Sequence, residues 1–166
     1  EFLNRLAKRH GQWFYYNGRT LIFGSPGGIG GQPKLYSGVN MQDFRYDIQL
    51  APSNFKIIEN DNRKGEYAAG ETLKYRKEAD GFHQNFINKS NKIFNKQTLI
   101  QRNQNAVGSN GSTTVEEYAK NKMRSILGTM MQVEAISDLP GITVGNTVRI
   151  YGIDIQLESS YRVTQI

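Results

Sequence analysis

Cysteine is absent from the 166 residues, proline occurs four times, histidine twice and tryptophan once. Each shortage closes a class of function. Without thiols there is neither a disulfide framework nor a thiolate metal site. The fold must therefore be held by an apolar core, and the length suffices for one domain or a domain plus a piece of another. His10 and His83 stand far apart and neither belongs to an HExxH-type pair, so no histidine-based metal motif is written in the chain. No apolar run approaches the roughly 18 residues of a spanning helix, and the start carries no signal-peptide pattern. The chain opens on Glu1 at the edge of a predicted helix, and it reads as an internal fragment of a longer protein.

What is present is concentrated in residues 1–24, EFLNRLAKRHGQWFYYNGRTLIFG. Phe2, Leu3, Leu6 and Ala7 share one face of a short helix. Arg5, Lys8, Arg9 and His10 gather toward its carbonyl end, where positive charge is favoured, and Gly11 is placed to stop it. Gln12–Tyr16 and Arg19–Phe23 are strand-like runs joined by Asn17-Gly18, a dipeptide suited to a tight hairpin turn. Trp13, Phe14, Tyr15 and Tyr16 could form a ligand platform. Alternation gives a plainer account: aromatics on both faces of the hairpin, each covered by protein or by another subunit.

Gly24–Pro33, GSPGGIGGQP, holds five glycines and two prolines and predicts an irregular connection, so a boundary is placed there, with residues 1–33 as one element and 34–166 as a second domain. The run fails as a phosphate cradle. No Gly-Lys-Ser/Thr follows it, and after Gly28 and Gly30 the third position of a dinucleotide fingerprint holds Pro33, which has no amide hydrogen to offer. Asp43–Leu50 alternates, with Phe44, Tyr46, Ile48 and Leu50 opposite Asp43, Arg45, Asp47 and Gln49, as a half-buried strand does. Asn54–Glu59, Glu71–Arg76, Gln97–Gln101, Met131–Ile136, Asn146–Tyr151 and Tyr161–Ile166 are further strand candidates. Asp61–Gly65 and Asp138–Gly141 read as turns and Gln104–Ser112 as a loop. Asp80–Phe94 predicts a helix with Asp80 as its cap, weakened by three asparagines. The best helix is Thr114–Leu127, with a Thr113–Glu116 capping box, a stripe of Val115, Tyr118, Ala119, Met123, Ile126 and Met130, and Gly128 as a plausible stop. The chain is α+β, mainly β: many short strands with two or three helices between them.

The net charge of +6 has a local source, since residues 72–102 contain Lys74, Arg76, Lys77, Lys89, Lys92, Lys96 and Arg102 against Glu78 and Asp80. An anionic partner, nucleic acid or another polyanion, is one reading of this excess. The plainer reading is a solvated face, because no interleaved aromatics offer a stacking platform. No nucleophile, base or metal set converges at recognisable spacing, so no catalytic, cofactor-binding or metal-binding residue is assigned and an enzyme is not expected. The serines lack a nucleophile-elbow setting. Glu116–Glu117 sit at a helix start, where acids are electrostatically favoured. A glycosidase-type carboxylate pair has nothing to support it.

The opening EFLNRLAKRHGQWFYYNGRTLIFG resembles a segment shared by the spike proteins of type VI secretion systems (the VgrG family) and related hub proteins of contractile phage tails. There, a helix and hairpin lie between two barrel-like tube domains. The later Leu139-Pro140-Gly141, Val144-Gly145-Asn146, Val148-Arg149-Ile150 and Ser160-Tyr161-Arg162-Val163-Thr164 are similar to the family's second tube domain. The basic, Asn-rich middle departs from that pattern. The family's first tube domain, its OB-fold and its β-helix needle have no counterpart in these residues. The resemblance implies a small antiparallel β-barrel carrying an amphipathic helix, and a structural role without bond-making chemistry or cofactor. It further implies a homotrimer presenting six barrels to a hexameric Hcp-like inner tube, with tip protein, effectors and baseplate as further partners. Each chain supplies a similar surface twice, which lets threefold symmetry meet sixfold. The implied location is the bacterial cytoplasm at the inner face of the membrane, followed by secretion through injection, so that the membrane is met by mechanical puncture.

Overall fold

The computed structural model describes residues 1–10, 12–24, 31–61, 65–102 and 111–166. The proposed Gly11 stop, the centre of the glycine-rich connection, the middle of Asp61–Gly65, most of Gln104–Ser112 and the Thr113 side chain of the capping box lie outside what is described. In chain order the elements are α1 (Phe2–His10), β1 (Trp13–Tyr16), β2 (Leu21–Gly24), β3 (Lys34–Tyr36), β4 (Met41–Ile48), β5 (Phe55–Asp61), β6 (Glu66–Glu71), a 3-10 helix (Thr72–Glu78), α2 (Gly81–Ile93), β7 (Thr98–Arg102), α3 (Gly111–Met130), β8 (Met131–Ser137), β9 (Thr147–Tyr151) and β10 (Ser160–Arg162). They fall into two compact units, one made of Glu1–Asp47 with Gln132–Ile166, the other of Ile48–Met131. In sequence the second unit interrupts the first. Among the described residues no helix is long and apolar enough to cross a membrane.

In the first unit β1 and β2 pair antiparallel, with Phe14 opposite Phe23 and Tyr16 opposite Leu21. The turn differs from the expected two-residue Asn17-Gly18. Asn17 and Thr20 extend the ladder, the Asn17 amide donating to the Thr20 carbonyl at 3.2 Å, and Gly18, with φ +93, and Arg19 form the tip. The Asn17 side-chain oxygen accepts from the Arg19 and Thr20 amides at 3.0 and 2.8 Å. Asparagine therefore braces the turn from its flank, a local hydrogen-bonding habit of this residue.

The second sheet of this unit has β9 at its centre, β10 antiparallel on one side and β3 parallel on the other. Val148 and Ile150 point inward as their spacing predicts, and with Leu35 and Met41 they form the buried cluster. Phe44, Val133, Leu139, Ile142, Ile153, Tyr161 and Val163 pack against it. Each fully buried side chain of this size contributes roughly 1.5–3 kcal/mol. β4 pairs with β8 in a separate two-stranded sheet. Phe44, Tyr46 and Ile48 are half-buried opposite the exposed Asp43 and Arg45, as the spacing predicts; Met41, just before that run and three residues from Phe44, reaches the same cluster, which a regular strand forbids. Asp43 breaks the phase with φ +49.

The second unit has β5 at the centre, β6 antiparallel and β7 parallel. Ile57 is fully buried under Val115 and Ala119 of α3. The helix lies so close to β6 that a Cβ on Gly70 would come within 3.0 Å of the Val115 backbone oxygen. α3 runs through Gly128 to Met130, whose carbonyl accepts from the Gln49 amide at 2.7 Å. The Glu71–Arg76 strand expected from composition is not one. Thr72 is fully buried, accepts from the Phe55 amide at 2.9 Å and donates to the Ser53 carbonyl, and the chain turns there into the 3-10 helix. Asp80 caps α2 as expected, accepting from the His83 amide. Among the described residues the ladders form four separate sheets, mixed with helices, and no closed barrel is present.

Candidate assembly and binding surfaces

The helix–hairpin at the chain start is fixed by its tyrosine. Tyr15 lies against Gly145, which precedes β9 and has φ +92. A Cβ there would sit 2.5 Å from the Tyr15 ring carbons, so only glycine admits both this backbone and this ring. Gly145 is held by its amide hydrogen bond to the Val163 carbonyl at 2.9 Å and by Arg162 Nη1 donating to the Gly145 carbonyl at 3.2 Å. Trp13 meets Tyr15 edge to face at 6.4 Å on the same side of the hairpin. Phe14 and Phe23 pair at 6.3 Å on the opposite side. That side remains open: Tyr16, Leu21 and Phe23 are 59, 60 and 45 % exposed. On α1, Ala7 is buried while Phe2 and Leu3 are exposed. Tyr16, Leu21 and Phe23 thus form an aromatic and aliphatic face left in water.

The ionisable groups are arranged to hold the fold. His83 is buried and its Nδ1 lies 2.6 Å from Asp80 Oδ1, beside the cap of α2. Glu59 and Arg102 are register partners in the parallel β5–β7 ladder; both are buried and lie 3.5 Å apart. The Arg102 guanidinium also sits 4.1 Å over the Tyr118 ring. Nothing in the sequence marked this pair, because contact between Glu59 and Arg102 depends on a parallel register that no local pattern specifies. Glu78 receives Arg124 at 2.8 Å and Lys120 at 3.5 Å. Partial burial pushes its carboxyl up, but the hydrogen bond and charge of Arg124, with Lys120, outweigh this and hold it below the usual carboxylate range. Tyr75 is raised, by burial first and then by Glu116. Glu116 and Glu117 are exposed near the start of α3. Among the described residues no group of three or more His, Asp or Glu could hold a metal ion.

The basic segment divides. Arg102 goes inside, while Lys74, Arg76 and Lys77 on the 3-10 helix, Lys89 and Lys92 on α2, and Lys96 just beyond are exposed.

The architecture is that of a mixed α/β protein with phage-tail likeness. The 43 kDa tail protein of prophage MuSo2 from Shewanella oneidensis superimposes with a TM-score of 0.50 at 14 % identity, over 96 % of this chain and 44 % of that one. The chain thus spans less than half the length of that protein. No protein-family model matches the chain, and no curated protein sequence matches it.

Proposed function

We propose that the chain is a structural part of a contractile injection machine, a portion of a VgrG-like spike or tail hub whose trimer caps a hexameric inner tube and helps deliver effectors. The observation that carries this reading is the fold likeness to a phage tail protein across 96 % of the chain. The opening helix and hairpin, docked through Tyr15 on Gly145, add to it, since they present an open apolar face. Such a face suits contact with neighbouring copies, and a ring of copies is what a tube cap requires. The work asked of these residues is mechanical: rigid sheets, close packing and surfaces that mate. The tube domains would be built from the separate sheets seen here, with closure completed by neighbouring chains.

The deciding experiment is light scattering on a longer protein that contains this chain, followed by co-sedimentation with a hexameric tube protein. A trimer that binds tube ends supports the proposal. A monomer at high concentration overturns it.

A further inference from the structure

We propose that the exposed stripe Asn85–Asn88–Lys89–Lys92 of α2, with Lys96 just beyond its end, binds the phosphate backbone of duplex nucleic acid without reading its sequence. This goes beyond the tail reading and does not depend on it.

The first observation is a charge imbalance that the structure enforces. Only Glu78 and Asp80 lie among the cations of residues 72–102 in sequence, and both are committed elsewhere. Glu78 faces Lys120 and Arg124 of α3, and Asp80 takes the His83 amide and imidazole. Among the described residues, none of the six exposed cations has an ion pair; Lys89 has only the Phe86 ring, 5.5 Å away. A basic surface that merely needed solubility would tolerate interspersed carboxylates. Here the two available ones are turned away.

The second observation is the spacing. Residues 85, 88, 89 and 92 follow the i, i+3, i+4, i+7 pattern of one helix face, and all four are exposed. That face carries two amides and two ammoniums, all hydrogen-bond donors, over about 10 Å of helix. Phosphates advance about 3.4 Å along each strand of a duplex, so the stripe spans roughly three of them. Asparagine is a poor choice for a helix interior, so its presence twice on the wet face is unexplained by stability.

The chemistry also favours nucleic acid over an acidic protein. Ile93 and Phe94 are exposed just beyond Lys92, but the four-residue face itself is polar, and phosphate contacts are made by Lys and Asn donors across wet interfaces. Donors at helical spacing suit the regular phosphate spacing of a duplex better than a single strand, which is held by a succession of stacking platforms.

The test is fluorescence anisotropy of a labelled, mixed-sequence DNA duplex with the full 166-residue chain. Roughly three to four phosphate contacts predict an affinity loss of about 40- to 150-fold between 50 and 200 mM salt. K89E/K92E/K96E should abolish most of this salt dependence, and K8E/K34E, at exposed sites in the other unit, should preserve it. N85A/N88A is the variant that separates binding from folding. Alanine should keep or raise the melting temperature while weakening binding several-fold. Failure to bind the duplex, equal binding to polyglutamate or to phosphatidylserine vesicles, or unchanged affinity in the triple variant would each overturn the proposal.

Discussion

The Tyr15 ring and the Gly145 backbone occupy one another's only available space: the glycine has φ +92, and any Cβ would enter the ring. The aromatic run of the hairpin thus finds its seat more than a hundred residues away in sequence, on the turn that leads into β9. Gly145→Ala should therefore combine a left-handed backbone penalty of about 1–2 kcal/mol with overpacking of about 1–3 kcal/mol. Chemical denaturation should show a loss within that combined range. Tyr15→Ala in the same chain should recover part of it, giving a non-additive cycle.

Glu59→Ala or Arg102→Ala should destabilise the second unit strongly, by about 3–5 kcal/mol, because each leaves the other charge buried without its partner. Replacing both with apolar residues of similar size should cost much less. A double-mutant cycle followed by circular dichroism tests this, and equal losses in single and double variants would contradict it.

The lowered Glu78 carboxyl makes stability depend on pH. A group whose folded-state pKa is depressed binds fewer protons folded than unfolded, so its contribution is fully present above the unfolded value, here 4.5. That contribution is lost as pH falls through the folded value. Glu78→Gln should flatten the acid limb of the stability curve below about pH 5 and leave the slope near neutrality unchanged. Urea unfolding between pH 3 and 7 measures it.

Asp80→Ala removes the cap of α2 and should cost about 1 kcal/mol, while Asp80→Asn, which keeps an acceptor, should cost less. Amide exchange of the first turn of α2 should speed up in the alanine variant alone.

What could be read from the sequence followed from local rules. The cap at Asp80, the inward pair Val148 and Ile150 and the stripe of α3 each come from spacing over a few residues, and each is where spacing puts it. The misreadings have non-local causes. Thr72 turns the chain because its hydroxyl meets Ser53 and Phe55 on another segment. The arrangement of strands into four sheets rather than one barrel is set by pairings between distant segments, which alternation does not encode. Of the surfaces, the aromatic hairpin was legible as a face needing cover. The pairing of Glu59 with Arg102 and the diversion of Glu78 to α3 were not, since both depend on which elements lie side by side. Trp13, Phe14 and Phe44 are half-buried, so alanine at each should cost less than the roughly 3–5 kcal/mol of a full core truncation.

The open side of the hairpin gives the last prediction. Leu21 is 60 % exposed, so Leu21→Ser should change the stability of the isolated chain by no more than about 0.5 kcal/mol, whereas Phe23→Ser also loses the cross-strand pair with Phe14 and should cost about 1 kcal/mol. In a longer protein that assembles, the same side chains would be buried between copies, and an aromatic anchor in such a contact is worth about 2 kcal/mol or more. Leu21→Ser should keep its melting temperature and weaken the oligomer in light scattering, and the double variant should lose the oligomer at a small cost in melting temperature. The opposite result, a lower melting temperature with the oligomer intact, would mean that this face is covered within the chain and that assembly uses another surface.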